Sequence, residues 1–109
     1  MKQKNKPKKK LIEKIILEHE RVISTLNGEN LQKKIEQTCT LLDQAIIQNK
    51  KILVCGNGGS SADSQHIAGE LVGRFQKERR AIACIALTTN TSILTSVGND
   101  YSFDKIFSR

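Results

Sequence analysis

Apolar residues recur at helical spacing through the first half of the chain. Leu11, Ile12, Ile15, Ile16, Val22, Ile23 and Leu26 form one stripe that also carries His19, and Asn27-Gly28 supplies a helix-ending turn. A second stripe, Leu31, Ile35, Cys39, Leu42, Ala45 and Ile46, faces away from charged and amide residues, so residues 11–50 read as two amphipathic packing helices. Then the period changes. Lys51 to Cys55 and Ala81 to Leu87 are short apolar runs without polar alternation, which predicts two buried strands. Between them Ser60 to about Phe75 reads as a helix, completing a βαβ unit with parallel strands and a right-handed crossover. Thr88 to Thr91 reads as a loop with capping residues and Ser92 to Val97 as a short helix stopping at Gly98. Tyr101 to Arg109 reads as the start of another helix.

Two parallel strands need cover on both faces and both edges, which residues 51–109 barely supply. The expectation is therefore the front part of a larger α/β domain, or a core completed by a second chain. With 109 residues the chain holds at most one domain, and 38% apolar with 27% charged residues is ordinary for a soluble protein. No apolar run approaches the length of a membrane span.

The net charge of +7 changes this picture little once it is located. Six of the eighteen basic side chains (Lys2, Lys4, Lys6, Lys8, Lys9, Lys10) lie in the first ten residues, leaving twelve against eleven acidic ones. Residues 1–10 read as a basic, disordered tail: an arm for nucleic acid or an anionic surface on one reading, a solubilising terminus on the other. No aromatic residue is interleaved for stacking, so nucleic acid is not the expected partner. Glu13, Lys14 and Glu18 interrupt any secretory core segment. Cys39, Cys55 and Cys84 are odd in number with no CxxC pair, which fits a reducing cytoplasm and argues against a disulfide framework or a cysteine-rich zinc site.

The chemistry concentrates in Gly56-Asn57-Gly58-Gly59-Ser60. A strand running through glycines into a helix leaves backbone N–H groups free to meet an anion, such as a phosphate or sugar oxygen. Ser60 or Ser61 can cap that helix, with Asp63 as capping-box partner. The spacing matches neither the dinucleotide fingerprint nor a GK[ST] loop, so neither NAD nor ATP is indicated, and a tight turn without a ligand would also satisfy it. His66 and Glu70, at i and i+4, share one helix face; together they can hold a divalent metal, or the carboxylate can move a proton beside the imidazole, or they form a plain surface pair. Asn99 and Asp100 could bind sugar hydroxyls at the carboxyl edge of the strands, or simply close a helix.

The run CGNGGSSADSQHIAGELVGRF, followed by AIACIALTTNTSILTSVGNDYSFDKIFSR, resembles the first half of the sugar isomerase (SIS) domain, and within that family the phosphoheptose isomerases, from about Leu31 to Arg109. The resemblance implies an SIS-type α/β three-layer sandwich with a parallel sheet, present as its amino-terminal portion (residues 51–109) after two helices that help build a homotetramer. It implies substrate contacts from Asn57, Gly58, Gly59, Ser60, Glu70, Asn99 and Asp100, one Zn2+ per subunit on His66 and Glu70, and proton transfer by Glu70. The implied reaction converts sedoheptulose 7-phosphate to a manno-heptose 7-phosphate for bacterial surface polysaccharide. The family's serine- and threonine-rich phosphate loop and its later glutamine and histidine do not follow Arg109, so the isolated chain is expected to be an inefficient isomerase and a weak metal binder. Relatives also use this fold as a non-enzymatic binding module, including one that assists the replication initiator. The GND turn followed by Tyr101-Ser102-Phe103 favours the isomerase.

Overall fold

A computed structural model describes residues 6–109. They fall into two compact units, one reaching to Leu41 and the other Leu42–Arg109. In the first, helix α1 spans Lys6–Ser24, a 3-10 turn follows over Thr25–Asn27, and helix α2 begins at Glu29 and continues to Ile47. The hydroxyls of Ser24 and Thr25 donate back to the carbonyls of Arg21 and Val22 at 2.7 and 2.6 Å, offering the last turn of α1 a competing partner and ending it. The Gly28 carbonyl then accepts from the Leu31 and Gln32 amides that open α2.

The helix thus takes in Lys6–Lys10, where the run of lysines predicts a disordered tail; residues 1–5 lie outside the described residues. Lysine is a good helix former, proline is tolerated in a first turn, and Lys9 pairs with Glu13 at 3.9 Å one turn on. That pair is exposed and contributes only about 0.3–0.5 kcal/mol.

In the second unit the chain leaves α2 through a turn at Asn49, whose φ of 54° lets the Lys50 amide reach back to the Ala45 carbonyl at 2.8 Å. Strand β1 (Ile52–Val54), helix α3 (Gly59–Val72), strand β2 (Cys84–Ala86), helix α4 (Thr91–Asp100) and a 3-10 turn (Phe103–Lys105) follow. The strands pair in parallel, with Ile52, Leu53 and Val54 opposite Cys84, Ile85 and Ala86. Flanking bonds from the Ile52 amide to Ala83 and the Leu87 amide to Val54, both 2.9 Å, close the ladder. This is the βαβ unit expected.

The burial differs from expectation. Cys84 and Ala86 are buried while Ile85 and, across the ladder, Leu53 are exposed, so the strands alternate after all. The reason is that α3 packs against one face of the sheet, and among the described residues the other face has no covering layer. Ser64, the most buried side chain of α3, donates its hydroxyl to the Ser60 carbonyl at 2.7 Å, so its polar atom is satisfied within the helix itself.

Two helix ends also move. The expected helix to Phe75 stops at Val72, where the Gly73 amide bonds to the Gly69 carbonyl at 2.8 Å. Conversely, α4 passes through Gly98 to Asp100, because Gly98 keeps helical geometry and its unused freedom stops nothing; the chain turns only at extended Ser102. Among the described residues no helix is long and apolar enough to cross a membrane.

Candidate functional site

Because β1 and β2 are parallel, the loops leaving Val54 and Ala86 emerge on the same edge of the sheet. The first of these is the glycine turn. Its three glycines do three different things. At Gly56 an added Cβ would lie 2.6 to 2.8 Å from the Cβ, O and C of Ser60, so the position demands closeness to the first turn of α3. Gly58 takes φ 57° and ψ −124°, a conformation open essentially to glycine alone, and is the N-cap of α3. Gly59 is the first helical residue, with open space around it. Among the described residues no side chain caps this helix: Ser60 and Ser61 instead donate their amides to the Asn57 and Gly58 carbonyls at 3.1 Å. The expected capping box with Asp63 is therefore not formed, since glycine at the N-cap has no oxygen to offer. Asn57, Gly58, Gly59 and Ser60 are all exposed.

The second loop reaches the same place. Thr88, buried at the end of β2, directs its hydroxyl at the Ser61 carbonyl 3.5 Å away, so it ties the two strand exits together. Nothing in the hydrophobic pattern marked Thr88; only its position just after a buried strand could have.

Along α3 the stripe that starts at Gly59 continues through His66 and Glu70. His66 Nε2 lies 3.6 Å from Glu70 Oε1, with the two side chains 78% and 42% exposed. Two bonds of about 2.1 Å to one tetrahedral ion would set their donors about 3.4 Å apart, so separation and donor chemistry both fit a shared divalent metal. The count does not complete a zinc site: among the described residues no group of three or more His, Cys, Asp or Glu comes together. As a bare pair it is a weak, solvated contact.

Asn99 and Asp100 occupy the last turn of α4, exposed, with Asn99 Nδ2 donating to Asp100 Oδ1 at 2.9 Å. They stand about 12–14 Å along the helix axis from its start at Thr91. Asp100 borders an open hollow of about 640 Å3 shared with Tyr101, Ser102 and Lys105. The other end of α4 is fixed by Asn90, whose side chain accepts from the Ile93 amide at 3.0 Å. Cys84 takes no part in this edge; it lies in the buried ladder, and burial pushes its thiol up from the usual range.

The SIS domain family matches residues 17–109. The chain belongs to that family. Among SIS-domain relatives, it is 55% identical over 91 residues to the phosphoheptose isomerase of Geotalea daltonii, covering 84% of this chain and 47% of that protein. It is 50% identical over 99 residues to phosphoheptose isomerase 1 of Campylobacter jejuni, covering 91% and 52%. Among solved structures, phosphoheptose isomerase GmhA from Neisseria gonorrhoeae superposes with a TM-score of 0.76 at 37% identity, over 92% of this chain and 50% of that one. The chain spans about half the length of the curated relatives it matches. Its helices and small parallel sheet are accordingly a partial SIS fold.

Proposed function

We propose that this chain carries the proton-transferring half of a phosphoheptose isomerase site, acting on sedoheptulose 7-phosphate to give D-glycero-D-manno-heptose 7-phosphate. The observation that carries this reading is the His66–Glu70 pair, held at 3.6 Å on the helix that the glycine turn opens. The names of the relatives supply the substrate class.

In the ketose-to-aldose direction a proton leaves C1, its electron pair passes into an enediol, and a proton arrives at C2 while the hydroxyl proton moves from O1 to O2. No co-reactant is needed. Glu70 is the group that takes and returns the carbon-bound proton; a carboxylate placed in reach of both carbons suffices for such a shuttle. Asn57, Gly58, Gly59 and Ser60 bind the sugar with the exposed loop, and Asn99 with Asp100 contact its hydroxyls. His66 and Glu70 would hold Zn2+, which when bound supplies positive charge beside oxygens that become anionic. A cytoplasmic homotetramer belongs to the same reading.

The test joins this chain to the carboxyl-terminal half of the Geotalea daltonii phosphoheptose isomerase and measures turnover of sedoheptulose 7-phosphate with Zn2+ present. Turnover is expected, falling about 100- to 10,000-fold in Glu70→Gln. A Glu70→Gln protein as fast as its parent would overturn the assignment.

A further inference from the structure

We propose that Arg79 is the positioning residue for Glu70, a guanidinium clamp that fixes the last turn of α3. This rests on the reading of Glu70 given above. The last four carbonyls of a helix lack partners within it, and α3 ends at Val72 with Glu70 inside that final turn. Arg79 is half-buried in the connection that returns to β2. Its Nη2 donates to the Glu70 carbonyl at 2.8 Å and its Nη1 to the Leu71 carbonyl at 2.8 Å, with a further bond to the Arg80 carbonyl at 3.1 Å. The Leu71 carbonyl also accepts the Ile82 amide at 3.0 Å, so the segment entering β2 is sewn to the same turn.

The fork geometry is what two adjacent carbonyls require; a lysine ammonium has the charge but not the paired donors. The cation also stands at the negative end of the helix dipole. The neighbouring Arg80 is spoken for by the Asn49 side chain, and Arg74 by Glu78 at 3.6 Å, so neither replaces it. The consequence is that the backbone from which the Glu70 carboxylate projects is held from the connection that returns to β2, and the carboxylate's 3.6 Å approach to His66 is steadied through the Glu70 carbonyl.

Amide hydrogen exchange on the 109-residue chain tests this. In Arg79→Gln the amides of Leu71, Val72 and Gly73 should exchange about tenfold faster or more, the loss of two charge-assisted bonds. The ladder amides of Ile52 and Leu87 should change less than about twofold, since opening confined to one turn leaves the ladder closed. Arg79→Lys should recover part of the protection. A uniform rise across helix and ladder would reduce Arg79 to general stability, and no rise at all would remove the clamp; either result overturns the proposal. Zn2+ titrated against the His66 ring resonances supplies the second readout, with weaker binding expected in Arg79→Gln. If Zn2+ leaves His66 of the parent chain unmoved while the last turn still loosens in Arg79→Gln, the anchoring of α3 stands and the metal role assigned to Glu70 falls.

Discussion

Adding the same methyl group at neighbouring glycines should change stability in opposite directions. At Gly58 the backbone sits at φ 57° and ψ −124°, and among the described residues nothing beyond its chain neighbours lies within 4 Å of the place a Cβ would take. The cost of Gly58→Ala is therefore conformational strain alone, about 1–3 kcal/mol. At Gly59 the surroundings are equally open, but the residue is helical. Gly59→Ala restricts the unfolded chain without straining the folded one and should stabilise by about 0.4–1 kcal/mol. Gly56→Ala is a third case: the new carbon meets the backbone of Ser60 at 2.7 and 2.8 Å, which a rotamer change cannot relieve, and about 1–3 kcal/mol should be lost to overpacking. Urea unfolding followed by far-ultraviolet circular dichroism, with the slope checked for constancy, measures all three. Between Gly58→Ala and Gly59→Ala the melting temperatures should separate by on the order of 10 °C. If both substitutions destabilise equally, or Gly58→Ala is silent, the turn does not have the geometry assigned to it.

Three further outcomes follow from other contacts. Asn90→Ala removes the side chain that accepts from the Ile93 amide and should cost about 1 kcal/mol in the same unfolding assay, with Asn90→Asp close to the parent. Cys39 and Cys55 are exposed and should be alkylated quickly at mildly alkaline pH, whereas buried Cys84 should be modified only as fast as the strand ladder opens. Since burial raises the Cys84 thiol in the folded chain, the folded state holds that proton longer; stability should be fully present below the ordinary thiol range and decline as pH rises through and above it. Cys84→Ala should flatten that decline, and an unchanged alkaline slope would show that another group governs it.

The elements that could be read from sequence are those whose signal is local. Two apolar runs bracketing a glycine turn and a helix gave the parallel pair, and the four-residue spacing of His66 and Glu70 placed them on one face, where the structure has them 3.6 Å apart. What escaped depended on partners distant in sequence. Arg79 clamps carbonyls eight and nine positions back, and Thr88 reaches Ser61 across 27 residues; neither leaves a periodic trace. The alternation of Leu53 and Ile85 against Cys84 and Ala86 was hidden because apolar residues look alike whether or not a layer covers them. Glycine misled for a related reason. Gly98 carries the residue type of a helix stop without the positive φ that makes one.

The most direct measurement follows the carbon-bound proton. With the joined protein in deuterium oxide, sedoheptulose 7-phosphate should give an aldose carrying deuterium at C2. In Glu70→Gln that label, and exchange at C1 of the recovered ketose, should fall at least about 100-fold, while the Gly58, Gly59 and Ser60 amides still shift on adding the sugar phosphate. Exchange at the parental rate in Glu70→Gln, or binding that leaves those three amides unmoved, would place the chemistry elsewhere.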